Sequence, residues 1–371
     1  MVFDLQLMSC FSFTLKWKKS SCLLFAGDEE IQVFANVKIY TYKEMRQATN
    51  DFSPANKVGE GGFGCVYKGR LKNGEVVAIK VLSSVPKHGV QFLNEIAMIS
   101  NISHENLVSL CGCCMEGDRR ILVYNYLENN SIAKMLFGGS DSKVKFNWKT
   151  RTKICVGVAR GLAFLHEEVR PPIVHRDIKA SNILLDKDLN PKISDFGLAK
   201  LLPSNLSYVS TRVAGTIGYL APEYAIFGKL TRKADIYSYG VLLLEIISGK
   251  LNTNTNLPYE DQFLLERIWA LYEKGELESI IDASLGSDLN TDEAHRFLLV
   301  GLLCTQDSPK LRPSMSTLVK MLTGEVDVMS LQITKPGMIT DFMDVKVRKK
   351  GQQLPPNKLS PIVSPRPAFQ L

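Results

Sequence analysis

Asp177 and Asp195, eighteen positions apart, constrain this chain more than any other feature. The stretch that carries them, from His175 to Gly197, reads HRDIKASNILLDKDLNPKISDFG, with an apolar β-branched run just before each acid and Lys179 and Asn182 between them. This layout suits one task, holding a nucleoside triphosphate and its metal ions beside a hydroxyl. One carboxylate can orient the hydroxyl, the other can ligate Mg²⁺ together with the Asn amide oxygen, and the lysine can neutralise a moving phosphoryl group. The bland alternative is a polar loop and a turn between short strands. With each residue type at ~5%, the five fixed positions of His-Arg-Asp-x-Lys-x-x-Asn arise by chance on the order of once in 10⁴ chains of this length, which argues against it.

Upstream, Val58 opens the text VGEGGFGCVYKG, with Gly59, Gly61 and Gly64 in G-x-G-x-x-G spacing and Glu60, Gly62, Phe63, Cys65 and Val66 among them. Such a triplet is weak alone. A dinucleotide loop runs from strand into helix, whereas Cys65-Val66-Tyr67 alternates like a second strand and an Asn73-Gly74 turn follows. The expectation is a β-hairpin that caps ATP phosphates with backbone amides. A third strand, Val76 to Val81, ends in Ala78-Ile79-Lys80. A lysine in an otherwise buried strand needs an anion, and two partners offer one: the α- and β-phosphates, and a carboxylate on the next helix. That helix is expected over Gln91 to Ser100, with Glu95 toward the strand; an ordinary surface salt bridge is the alternative for Glu95.

Asp177, Asn182 and the Asp195-Phe196-Gly197 triplet resemble the catalytic loop and metal-binding triplet of protein kinases. The wording from about Tyr40 to Gly324 is similar to plant receptor-like kinases of the Pelle and interleukin-receptor-associated kinase group, within it the receptor-like cytoplasmic kinases of cold-responsive type. The resemblance implies a two-lobed α+β fold, with an antiparallel small lobe at about 52–127 carrying one key helix and a helical lobe at about 128–324. It implies ATP with Mg²⁺, Mn²⁺ being an alternative, and phosphoryl transfer to protein Ser/Thr hydroxyls, because Lys179 two residues after Asp177 is the serine/threonine pattern and Thr216 can brace both. Lys80 and Glu95 become the nucleotide-orienting ion pair, Asn182 and Asp195 the metal ligands. Tyr124 becomes the residue at the back of the adenine pocket, and Asn125, Tyr126 and Leu127 the connector that offers backbone groups to adenine. Asp235 and the Glu223–Arg312 pair are expected to be structural. A binding scaffold without turnover is the rival reading; such chains usually lose the strand lysine, the catalytic Asp or the metal Asp, and Lys80, Asp177 and Asp195 are present.

The segment from Gly197 to Ala221-Pro222-Glu223 is rich in hydroxyls: Ser204, Ser207, Tyr208, Ser210, Thr211 and Thr216. Ser207, Ser210, Thr211 and Thr216 are the expected regulatory phosphosites, with Arg176, immediately before Asp177, as phosphate receptor, since its guanidinium would otherwise face the loop without a strong anion. Thr41-Tyr42-Lys43-Glu44 reads as a capping box opening a short helix at about 41–50 within an N-terminal extension, residues 1–51. Strands are expected at about 107–114 and 120–126, a variable loop from Gly138 to Asn147, a buried helix from Trp148 to Glu168, and a largely disordered Pro/Lys-rich tail from 325 to 371.

The net charge of +7 is spread along the chain, with basic clusters at 16–19 and 346–350, which argues against nucleic acid. The eight cysteines, Cys111, Cys113 and Cys114 among them, lack metal-ligand spacing with histidines and fit reduced thiols of a cytoplasmic protein. No run reaches the ~18–20 apolar residues of a membrane span. Cys10 and Cys22 beside Lys16, Lys18 and Lys19 leave peripheral plasma-membrane contact open. Protein substrates and an upstream receptor kinase are the expected partners.

Overall fold

The structure is a computed structural model in which residues 37–61, 64–83, 86–138, 146–256 and 262–338 are described. Period-two alternation builds its smaller lobe. Strands β1 (Lys57–Gly61), β2 (Gly64–Arg70), β3 (Val76–Leu82), β4 (Leu110–Glu116) and β5 (Arg119–Asn125) form an antiparallel sheet in the order β1-β2-β3-β5-β4. Successive side chains of a strand leave opposite faces. Val77 and Ile79 of β3 therefore join Ile121 and Val123 of β5 in one apolar cluster, while Leu82, Leu122 and Tyr124 join another. Lys80, paired in register with Val66 and Leu122, is delivered to the second face.

Residues that precede the sheet roof its first face. Helix α1 (Tyr42–Ala48) starts in the expected capping box, with Thr41 N donating to Glu44 Oε2 at 2.8 Å and Glu44 N to Thr41 Oγ1 at 3.2 Å. It stops at Ala48 rather than near Asn50 because Asn50, Asp51 and Phe52 all take left-handed φ. Before the helix, Ile39 bridges Cys113 in parallel, with Tyr40 N donating to Cys113 O at 2.8 Å and Cys113 N to Lys38 O at 2.9 Å. Gly112 permits this approach, since a Cβ there would sit 2.3 Å from Lys38 O. Met45 and Tyr40 are buried in the cluster that contains Ile79 and Ile121.

Three sequence expectations shift. The strands expected at 107–114 and 120–126 span Leu110–Glu116 and Arg119–Asn125, because Leu107 and Val108 pair with Ile193 of the larger lobe instead. Helix α2 (Pro86–Ile99) begins five residues before Gln91, with a proline at its first position, where the missing amide costs nothing. Residues 325–338, expected in the disordered tail, pack on the larger lobe: Val328, Ile333 and Met338 are buried, Gly337 N donates to Thr305 O at 3.0 Å and Tyr237 OH to Gly337 O at 2.7 Å. Their apolar residues follow no helical or strand period, which is why the sequence hid them.

The larger lobe comprises α3 (Ile132–Phe137), α4 (Trp148–Ala163), α5 (Pro222–Phe227), α6 (Arg232–Ser248), α7 (Leu264–Lys274), α8 (Thr291–Thr305) and α9 (Met315–Leu322). Short strands β6 (Ile173–Val174), β7 (Ile183–Leu185), β8 (Pro191–Ile193), β9 (Lys200–Leu201), β10 (Val209–Ser210) and β11 (Lys229–Leu230) frame its loops. α4 continues through Glu168 as a π-helical turn. Every residue of α6 from Ala234 to Ser248 is buried, as befits a helix apolar around most of its circumference at the centre of a lobe. Arg312, fully buried, grips Glu223 with two hydrogen bonds of 2.7 and 2.9 Å. The architecture is the expected two-lobed α+β fold. The cysteines and basic cluster near the N-terminus, the cluster at 346–350 and most of the loop after Gly138 lie outside the described residues.

Because Met45 is fully buried under the sheet, Met45→Ala should lower unfolding stability by about 2–5 kcal/mol, read by denaturant titration. An unchanged midpoint would mean that the segment before residue 52 is dispensable to the small lobe.

Candidate active site

The central group is an ion cluster between the lobes. Lys80 Nζ lies 3.0 Å from Glu95 Oε2 and 2.9 Å from Asp195 Oδ1. α2 aims Glu95 by burying Phe92, Ile96 and Ile99 on the apolar side of the same helix. Tyr124, at the end of β5, donates its hydroxyl to Glu95 Oε1 at 2.5 Å. Burial opposes the Lys80 ammonium, but the Asp195 and Glu95 carboxylates outweigh it and raise the lysine above its ordinary pKa. Burial likewise opposes the Asp195 carboxylate, and Lys80 reverses the effect, holding it below the usual range. In Glu95 burial prevails over Lys80 and the carboxyl is pushed up.

Asp195 has φ +68°, a left-handed conformation unusual for a residue with a side chain. The larger lobe fixes the preceding residue: Ser194 N donates to Asn182 O at 2.9 Å and the His175 ring sits 3.0 Å from Ser194 O. Asp177 is the focus of the adjoining loop. Its Oδ1 accepts the Thr216 hydroxyl at 2.6 Å, and its Oδ2 lies 3.0 Å from Asn182 Nδ2 and 2.9 Å from Lys179 Nζ. Lys179 also donates to Thr216 Oγ1 at 2.7 Å. Beneath, Asp235 accepts from His175 N at 2.7 Å and Arg176 N at 2.8 Å, with His166 Nε2 2.9 Å away. Burial would raise the Asp235 pKa, but these donors, His166 foremost, bring it below its ordinary value.

The donor set suits a hard cation. Asn182 turns its amide nitrogen onto Asp177 O and Oδ2, which leaves its Oδ1 for a metal, and Asp195 spends only Oδ1 on Lys80. Two protein oxygens beside phosphates and water are what Mg²⁺ or Mn²⁺ accepts. Among the described residues no group of three or more His, Cys, Asp or Glu could hold a metal. Cys113 and Cys114 are buried in different apolar clusters, on opposite faces of β4.

Over the cleft, Gly59, Glu60 and Gly61 of β1 pair with Val66, Cys65 and Gly64 of β2, Val58 stands at the irregularity in register after Lys57, and the connecting Gly62 and Phe63 lie outside the described residues. Gly64 is obligatory, since a Cβ there would meet Val81 O at 2.0 Å, whereas Gly61 has open space around it. Ala78 pairs with Tyr124, and the chain leaves the sheet at Asn125, so the backbone groups of Tyr126 and Leu127 lie outside the ladder.

The expected phosphosites divide. Thr216, expected both as a brace and as a phosphosite, has its hydroxyl engaged by both Asp177 and Lys179. Ser207, Ser210 and Thr211 lie on the outer part of the segment; Ser210 is exposed, and Thr211 Oγ1 is 3.5 Å from Lys200 Nζ. Arg176 pairs with no carboxylate among the described residues, but it is not idle: it donates to Leu198 O at 3.0 Å, Arg212 O at 2.8 Å and the Tyr224 hydroxyl at 2.5 Å. Two features escaped the sequence reading. Tyr224 OH is a hub that also accepts from Ala214 N at 3.0 Å. Glu245, 1% exposed, accepts from Tyr219 OH at 2.6 Å and Asn252 N at 2.8 Å, which ties α6 to the loop that follows Thr216.

The protein kinase domain family matches residues 52–322. The chain is 65% identical over 324 residues to cold-responsive protein kinase 1 of Arabidopsis thaliana, covering 86% of this chain and 83% of that protein. It is 53% identical over 321 residues to a probable LRR receptor-like serine/threonine-protein kinase of the same plant, covering 86% of this chain but 31% of that longer protein.

Burial pushes the Glu245 carboxyl up to about 7 from an ordinary 4.5, against its two donors. Between these values the folded state keeps a proton that the unfolded state has lost, so this group's contribution to stability falls as pH rises through that window and is level above it. Glu245→Gln mimics the protonated form. In denaturant melts it should match the wild type at about pH 5 and exceed it by roughly 2–3 kcal/mol at about pH 8; an equal difference at both pH values would contradict the assignment.

Proposed function

The chain belongs to the protein kinase family, and on that premise we propose that it transfers the γ-phosphoryl group of ATP to Ser and Thr hydroxyls of protein substrates in receptor-linked signalling. The observation that carries this reading is the unit in which Thr216 Oγ1 donates to Asp177 and accepts from Lys179, joining the catalytic loop to the substrate-side loop. Bound MgATP supplies the phosphoryl group and a cation that offsets its charge. The chain supplies position. Lys80, oriented by Glu95, would grip the phosphates, and Asn182 and Asp195 would hold the metal. Val58 to Gly61, Gly64 to Val66, Ala78 and Tyr124 to Leu127 would enclose the nucleotide. Asp177 accepts the hydrogen of the incoming hydroxyl and aligns its oxygen, while Lys179 offsets charge on the transferring group. Proximity and electrostatic preorganisation supply most of the rate.

Activation by phosphorylation at Ser207, Ser210 or Thr211 belongs to the same reading, with Thr211 favoured by Lys200 beside it. A phosphate adds about −1.5 to −2 charge, which Lys200 and Arg176 can receive in place of neutral carbonyls. The receptor-like relatives support an upstream receptor kinase as partner and a cytoplasmic site of action. No helix of the described residues is long and apolar enough to cross a membrane; the lysines and cysteines near the N-terminus are the basis for peripheral plasma-membrane contact.

Lys80→Met and Asp195→Asn should each abolish phosphate incorporation into a protein substrate with Mg²⁺ as the only metal, while both variants melt cooperatively. Substantial turnover by Asp195→Asn would remove the metal assignment. Phosphatase treatment should lower activity, and Thr211→Ala should reproduce most of that loss; a dephosphorylated enzyme as active as the phosphorylated one would place the switch elsewhere.

A further inference from the structure

Asp195 presents its carboxylate from a left-handed backbone, and both lobes hold the turn around it. Upstream, the larger lobe does the holding: Ser194 N and Oγ both donate to Asn182 O at 2.9 Å. Downstream, the larger lobe reaches Leu198 O through Arg176 at 3.0 Å, and the smaller lobe supplies a further contact. Asn94 of α2 brings Nδ2 within 3.2 Å of Phe196 O, 3.1 Å of Gly197 O and 2.9 Å of Ala199 O. One amide group has two hydrogens, so three converging carbonyls share them, while Leu198 O of the same 3₁₀ turn, Phe196–Leu198, goes to Arg176 instead.

Asn94 is the neighbour of Glu95, which reaches the same Asp195 by another route. Glu95 acts on the carboxylate through Lys80, and Asn94 acts on the backbone that follows it. A shift of α2 would therefore loosen both at once. Gln91, one turn earlier, lies against the same turn: a Cβ on Gly197 would be 3.5 Å from Gln91 Cβ. Gln91 is buried, and neither of its amide atoms has a hydrogen-bond partner among the described residues. It touches the turn without holding it.

We propose that Asn94 is a positioning residue that ties the Asp195-Phe196-Gly197 turn to α2 and thereby sets how firmly Asp195 can hold the metal. The proposal rests on the assignment of Asp195 to the metal. It involves no contact between Asn94 and nucleotide, metal or substrate.

The test uses the full chain with Asn94→Ala, Asn94→Asp and, as a control at the same surface, Gln91→Met. Alanine suits the helix, and aspartate keeps the shape while turning an acceptor toward three carbonyls. Two readouts do not require turnover: hydrogen exchange of the Ser194–Leu202 stretch without nucleotide, and calorimetric affinity for adenylyl imidodiphosphate with and without Mg²⁺. Loss of the hydrogen bonds should speed exchange and weaken the Mg²⁺-loaded complex by roughly three- to ten-fold each, while metal-free affinity stays at the wild-type value. Asn94→Asp should be at least as severe as Asn94→Ala, and Gln91→Met should behave as wild type. Wild-type exchange in both Asn94 variants, or faster exchange with unchanged Mg²⁺ dependence, would overturn the proposal. An Asp195→Asn variant that keeps the Mg²⁺ dependence would overturn the underlying metal assignment instead.

Discussion

A buried ammonium held between two carboxylates is the interaction on which the remainder of this structure depends. Lys80, Glu95 and Asp195 come from a strand, a helix and a loop in two lobes, and their charges do not cancel: one cation faces two anions in a region largely withdrawn from water. An uncompensated buried charge is expensive. In the proposed function it has a use, because the excess anion would meet a divalent cation and phosphates. The sheet's alternation, which puts Lys80 on one face while Val77 and Ile79 fill the other, and the apolar side of α2 behind Glu95 both serve to assemble that cluster.

A second level of support lies below it. Asp235, at the start of the most deeply buried helix, fixes the backbone of His175 and Arg176, and so places Asp177 one residue later. Farther along the same helix Glu245 fixes Tyr219, and so the loop carrying Thr216. The helix thus ties the loop of Asp177 at one end and the loop of Thr216 at the other. Ile217, 86% exposed directly after Thr216, is left facing solvent.

Much of this was legible in the sequence because the chemistry is local: His175 to Gly197 carries Asp177, Lys179, Asn182 and Asp195 within one short stretch, and the capping box at Thr41 and the apolar alternation of β3 are short-range patterns. What the sequence withheld depends on distant partners. Leu107 and Val108 read as strand because nothing local shows that Ile193 takes them from β4. Residues 325–338 read as tail because their anchors, Thr305 and Tyr237, are distant in the chain. Tyr224, Glu245 and Asn94 carry no motif at all; each matters through what the fold places beside it. Thr216 reads both as a brace and as a phosphosite in the sequence, and the two partners of its hydroxyl are visible only in the fold.

The central claim is that the cluster's excess negative charge makes nucleotide binding depend on a divalent cation. Calorimetric titration of adenylyl imidodiphosphate into wild type and Glu95→Gln, with and without Mg²⁺, tests it most directly. Removing one of the two anions from around Lys80 should strengthen metal-free binding and shrink the gain from Mg²⁺ by roughly ten-fold or more. If Glu95→Gln binds metal-free nucleotide no better than the wild type and keeps the full Mg²⁺ gain, the charge balance of the cluster does not govern the site.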